Sequence, residues 1–226
     1  VVPARITTVD QDAHGVSAGG LRARWLIAAD GLHSPVRRGL GVTVHPGSPR
    51  RFGVRWHFRT PKWSDFVEVW WSRWGEAYVT PVSDSEVGVA ILSASKPDLA
   101  WFPGLVARLG DAERGHVRGA GPLRQVVSRR VAGRVLLVGD AAGYEDALTG
   151  EGISLALKQA RAAVGAIAAG QPGRYETEWR QITRSYRLLT RGLVQSTRPA
   201  FARRAIVPLA SALPAVFGRI VNVLAR

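Results

Sequence analysis

A chain of 226 residues with 46% hydrophobic content is long enough for one large domain or two modest ones, and apolar enough to bury a core. It holds no cysteine, which excludes a disulfide framework and a thiolate zinc site, and its five histidines lack the spacing of a metal-binding pair. The formal charge of +14 invites a nucleic-acid reading, but lysine occurs only as Lys62, Lys96 and Lys158, and the arginines are mostly dispersed through alternating segments, which reads as a compositional preference. The lack of cysteine leads to an expected reducing, cytoplasmic location, and no uncharged apolar run of membrane-spanning length is present. The absence of methionine, and a start within an expected strand at Val1–Ile6, point to a piece of a longer protein.

In chain order, Val1 to Val16 reads as a hairpin turning at Asp10–Gly15, and Gly19-Gly20 turns the chain again. Arg22 to Ala29 is a strand ending at Asp30-Gly31, followed by a helix with Ser34 as N-cap and Pro35 at its first position. From about Pro46 the period becomes two: Phe52, Val54, Trp56 and Phe58 alternate with Arg51, Arg55, His57 and Arg59. Strands at Phe66–Trp71, Glu76–Val82 and Glu86–Leu92 complete an antiparallel sheet, with a hairpin turn at Ser83–Ser85. Trp56, Trp70 and Tyr78 are candidates for lining a substrate pocket, with plain core packing as the alternative. Asp98 to Leu109 reads as an amphipathic helix.

Val135 to Val138 is a nearly continuous apolar run, which suits a strand buried on both faces, and Gly139-Asp140 ends it with a carboxylate. After a polar loop, Thr149 reads as the N-cap of a helix on which Ile153, Ala156, Leu157, Ala160, Ala163, Val164 and Ile167 recur at helical spacing, and Gly150 and Gly152 allow close backbone approach. A carboxylate and a helix N-terminus thus bracket a gap outside a strand end, where nucleotide-like ligands sit in open α/β sheets. Beyond the linker at Gly170–Gly173, Trp179, Ile182, Tyr186 and Leu189 make one helical face, and Arg180, Arg184, Arg187 and Arg191 a basic stripe. Nothing acidic follows Glu178, while Arg198, Arg203, Arg204, Arg219 and Arg226 accumulate in an apolar, proline-broken tail. That asymmetry calls for a partner or an acidic surface.

These residues carry a resemblance. Asp30-Gly31-Leu32-His33-Ser34-Pro35-Val36-Arg37 resembles the Asp-Gly motif, and Gly139-Asp140-Ala141-Ala142-Gly143 with Leu148-Thr149-Gly150-Glu151-Gly152 the Gly-Asp motif, of FAD-dependent aromatic-hydroxylase-type monooxygenases. The second is especially similar to the geranylgeranyl-reductase and halogenase branch of that superfamily. The resemblance implies a mixed α/β fold: parts of a Rossmann-like FAD-binding domain at 1–45 and 118–172, an inserted antiparallel sheet of the substrate domain at 46–117, and a helical segment at 173–226. It implies that Asp140, beside Gly139, accepts a hydrogen bond from the FAD ribityl chain and that the backbone at Thr149, Gly150, Glu151 and Gly152 faces the flavin pyrimidine ring. Asp30, Gly31 and Arg37 fall near the cofactor pyrophosphate and the approach of NAD(P)H.

Two departures qualify it. The dinucleotide-binding Gly-x-Gly-x-x-Gly does not occur in these residues, so this chain alone is expected to bind FAD poorly, a preceding segment supplying the adenosine half. In addition, Glu76 and Tyr78 replace the two aromatics of a Gly-aromatic-x-Trp-x-x-Pro pattern, which argues against a halogenase. The expectation is an FAD-dependent, NAD(P)H-linked monooxygenase that hydroxylates an apolar or aromatic small molecule and binds no nucleic acid. The alternative within the fold is a geranylgeranyl-reductase-like enzyme acting on a lipid, its basic C-terminal helices touching a membrane. A basic surface-binding module is the alternative of another class.

Overall fold

A computed structural model of the chain describes residues 1–3, 5–47 and 50–196, with Pro208 and Ala212. The tail arginines from Arg198 onward lie outside the described residues. In chain order the strands are β1 (Val9–Gln11), β2 (Val16–Ala18), β3 (Leu21–Ala23), β4 (Leu26–Ala28), β5 (Val44–Pro46), β6 (Phe52–Arg59), β7 (Glu68–Trp71), β8 (Gly75–Ser83), β9 (Glu86–Ser93), β10 (Glu113–Arg114), β11 (Arg118–Ala120), β12 (Gln125–Val127), β13 (Val131–Ala132) and β14 (Val135–Leu137). The helices are α1 (Pro35–Gly39), α2 (Pro103–Leu109), α3 (Gly152–Ala168) and α4 (Tyr175–Ser196). They form two compact units, one of Val1–Gly47 with Gln125–Gln195, the other of Ser48–Arg124.

In the first unit β14 runs parallel to β4, pairing Val135 with Leu26 and Leu137 with Ala28, and β13 folds back against its other edge. Val135, Leu136 and Leu137 are completely buried, which is why this strand reads as an unbroken apolar run. Ala163 and Ala166 of α3 and Tyr175 and Trp179 of α4 close the core over it, and the Tyr175 hydroxyl donates to the Leu137 carbonyl at 2.9 Å. Among the described residues before Val9 none is in a strand; pairing begins at Val9, and Asp12 holds the turn by accepting from the His14 and Gly15 amides.

The second unit is an antiparallel sheet in the order β10-β6-β9-β8-β7, with β11 also on β6. One face, through Phe58, Ala77, Val79, Val87, Val89 and Ile91, packs against Phe102, Leu105 and Leu109 at and within α2. The expected helix from Asp98 is divided: Asp98 caps a short 3₁₀ turn at Leu99–Trp101, and Pro103, which lacks a donor, opens a separate α-helix. The units divide at Gly47 and Arg124; β11 hydrogen-bonds to β6 within the second unit, and α4 is grouped with the first.

Candidate functional site

Everything in the candidate site is hung on the end of β14. Gly139 turns at φ +60, a conformation a side chain resists, and a 3₁₀ turn follows over Gly139–Ala142. The polar groups of this turn are held from three directions. Arg37 donates to the carbonyls of Asp140 (3.4 Å) and Ala141 (2.9 Å), Arg130 donates to that of Ala142 (3.2 Å), and Gln159 accepts from the Gly139 amide at 2.8 Å. Arg130 is itself placed by the Val127 carbonyl, by Glu176 and by the Trp179 ring 3.7 Å beneath it. The backbone is thereby fixed, and the Asp140 carboxylate is left half-buried with its proton affinity raised by loss of hydration.

The Asp-Gly segment supports this turn from the parallel neighbour. Asp30 accepts from the Val36 amide at 3.0 Å, and the buried Ser34 hydroxyl caps α1 through the Arg37 amide at 2.9 Å, as its position before Pro35 predicts. Arg37 is turned inward and is only 3% exposed. It also donates to Leu32 O (2.7 Å) and Gln125 Oε1 (2.8 Å), and burial lowers its pKa. Its contacts brace the two motifs; the family resemblance implies a place near the pyrophosphate and the NAD(P)H route.

The loop before α3 departs from its expected cap. Gly150 adopts φ +71 with its amide donating to Ala147 O, and this turn delays the helix to Gly152 with Glu151 at the N-cap position. No side chain caps α3. Thr149 Oγ1 and Glu151 Oε1 are buried without a hydrogen-bond partner, and burial raises the Glu151 pKa. A helix N-terminus with uncapped amides carries partial positive charge and unmet donors. Together with two buried orphan oxygens and an ionisable Asp140, this is a donor and acceptor set that the polar edge of an isoalloxazine ring and a ribityl chain would complete. The residues present therefore fit the flavin half of FAD.

Gly139, Asp140 and Gly152 line one pocket with Gln125, Tyr144 and Gln159, and α4 contributes Trp179, Thr183, Tyr186 and Arg187 to its wall. Sequence reasoning passed over Gln159, Arg130, Glu145 and Tyr186. The one available signal was Gln159, a polar residue that is 3% exposed on an otherwise apolar helix face. The apolar stripe of α3 is also oriented otherwise than its spacing suggests: Ile153, Leu157 and Val164 are exposed, and Leu155, Gln159, Ala163 and Ala166 are buried.

The three aromatic candidates belong to the second unit. Trp56 and Trp70 pack on the α2-covered face, with Trp70 Nε1 donating to Glu68 at 3.0 Å. Tyr78 alternates with the core residues Ala77 and Val79 and so lies on the opposite face. One pocket on this sheet cannot be lined by all three. Glu76, on the Tyr78 face, is buried in an ion pair with Arg51, which accounts for a carboxylate at a position the resembling pattern gives to an aromatic.

A parallel strand pair whose ends carry an Asp-Gly and a Gly-Asp turn, with a large antiparallel sheet between them in sequence, defines a flavoprotein of the FAD-binding class. The chain belongs to the FAD binding domain family, whose profile matches residues 2–114. It is 60% identical over 42 residues to the chloroplastic geranylgeranyl diphosphate reductase of Oryza sativa subsp. japonica, a stretch covering 19% of this chain and 9% of that protein. Among solved structures it is similar to the Diels–Alderase PyrE3 of pyrroindomycin biosynthesis (TM-score 0.73, 20% identity, 98% of this chain and 55% of that one). It is similar also to the anhydrotetracycline hydroxylase OxyS from Streptomyces rimosus (TM-score 0.64, 19% identity, 97% and 51%). At these identities the likeness is one of fold, and the chain spans about half the length of those structures. Among the described residues no helix is long and apolar enough to cross a membrane.

Proposed function

We propose that the chain forms the flavin-ring side of an FAD-dependent, NAD(P)H-linked monooxygenase of an apolar or aromatic small molecule. The observation that carries the reading is the pocket lined by Asp140 and by Gly152 at the uncapped α3 N-terminus, the two residues Thr149 and Glu151 with unpartnered oxygens preceding Gly152 in the chain. Bound FAD supplies reduction by a nicotinamide and activation of dioxygen. Asp140 would accept a hydrogen bond from a ribityl hydroxyl, and the first-turn amides of α3 would favour negative charge at the pyrimidine edge. Arg37, Arg130 and Gln159 keep the Asp140 turn from relaxing, so these groups are aimed before the cofactor arrives. In the second unit, the sheet face that carries Tyr78 and Trp71 would contact the substrate. The protein acts in the cytoplasm.

The match to a geranylgeranyl diphosphate reductase favours a second reading, reduction of a polyprenyl-like lipid without hydroxylation. Arg180 and Arg184 remain exposed on α4 and would serve its contact with an anionic membrane.

The test is to purify the protein as encoded, with whatever flanks Val1 and Arg226, and record its flavin absorbance. A protein that FAD cannot colour refutes both readings. Oxygen uptake matched to NAD(P)H oxidation and substrate hydroxylation supports the first; anaerobic saturation of a polyprenyl double bond supports the second. Asp140→Ala should lose its flavin on gel filtration, and undiminished retention overturns the role given to Asp140.

A further inference from the structure

Resting on the flavin reading of the loop at Thr149–Gly152, we infer that Arg191, Arg187 and Tyr186 of α4 are positioning residues for that loop, acting through Glu145 and Asp146. Glu145 is only 7% exposed. Its Oε1 accepts from Arg191 Nη2 at 2.6 Å and Arg187 Nε at 3.1 Å, and its Oε2 from Arg191 Nε at 2.9 Å. Arg191 thus grips the carboxylate with two parallel bonds, the geometry that fixes orientation as well as distance. One residue on, the Tyr186 hydroxyl donates to Asp146 O at 2.8 Å and accepts from Asp146 N at 3.4 Å. Both main-chain groups of Asp146 are therefore held by one α4 side chain.

The grip is passed on toward the site. The Asp146 carboxylate accepts from the Leu148 amide at 3.1 Å, and Ala147 O accepts from the Gly150 amide at 3.3 Å, which sets the turn presenting Thr149 and Glu151. On the other side Tyr144 exchanges both backbone bonds with Gln125, at 2.8 and 3.1 Å. The segment from Glu145 to Glu151 is therefore pinned at its start by β12 and α4 and at its end by α3. Arg187 also lines the same pocket as Asp140. Half of the basic stripe is consequently engaged by Glu145.

The test compares Arg191→Ala, Arg191→Lys, Glu145→Gln and Tyr186→Phe in the protein as encoded. Hydrogen exchange of the amides at Ala147–Glu151 is read first without FAD, and the visible flavin spectrum and FAD affinity are read after loading. Loss of the bidentate grip should speed exchange in this segment about tenfold. Amides of β14 and α3 should keep their protection. Lysine, a point charge with no planar fork, should restore part of the effect. Tyr186→Phe, which keeps its packing, should raise exchange at Asp146 and Ala147. In the loaded protein the same variants should shift the flavin bands and weaken FAD binding about tenfold. Exchange unchanged at Ala147–Glu151, or raised equally throughout the chain, overturns the positioning role. Local exchange that rises in a protein which never binds FAD supports the clamp and refutes the flavin reading instead.

Discussion

Replacing Arg37 by methionine separates a brace from a ligand contact. Three of its acceptors lie at 2.7, 2.8 and 2.9 Å, on Leu32 O, Gln125 Oε1 and Ala141 O. Methionine fills much of the volume and satisfies none of them. Stranding a buried acceptor costs about 1–3 kcal/mol, so the three together cost about 3–9 kcal/mol. Relief from burying a cation offsets several kcal/mol of that, since a guanidinium out of water is itself expensive. A net loss of about 2–4 kcal/mol is expected. The assay is urea unfolding followed by tryptophan fluorescence, Trp25 and Trp179 reporting on this unit, with Arg37→Lys expected to fall between. A loss below about 0.5 kcal/mol, the range of surface substitutions, refutes the bracing role. Unchanged stability with weakened FAD binding would return Arg37 to the cofactor.

Burial raises the Asp140 pKa, so the cost of its ionised form is absent below the unfolded pKa and grows as pH rises through the higher folded one. Flavin-free Asp140→Asn should therefore be more stable than the parent at pH ~7, with the advantage fading toward pH ~3; an advantage independent of pH contradicts the assignment. Tyr175→Phe removes a completely buried donor from Leu137 O, and calorimetry should show a loss of about 1–2 kcal/mol, a neutral result excluding that bond as a support of β14. Glu76→Ala leaves Arg51 buried without its carboxylate and should destabilise the second unit by about 3–5 kcal/mol, with Glu76→Gln milder; equal stability of both variants and the parent in urea would dismiss the pair.

Local rules carried much of the way. The Ser34 cap with Pro35, the alternation of β6 and the buried run of β14 each follow from short-range chemistry, and each stands in the structure where the residues indicate. The same rules missed where a turn of one residue's conformation intervened, as Gly150 did between Thr149 and α3.

By itself the sequence determined most of the element types, the two carboxylate-bearing turns and the family, because these depend on neighbours a few residues apart and on backbone demands that only certain residues meet. Which face of α3 is buried was decided by tertiary structure alone. α3 is apolar nearly all round, so its period admits several inward faces, and the one chosen lets Ala163 and Ala166 pack close to the sheet and brings Gln159 to the Gly139 amide. The basic stripe of α4 divides for a similar reason: Arg187 and Arg191 meet Glu145 across more than forty residues of chain, at a separation of 42 and 46, while Arg180 and Arg184 face outward. Periodicity places charges on a helix; only the fold supplies the carboxylate that turns two of them into a support for the Gly-Asp loop.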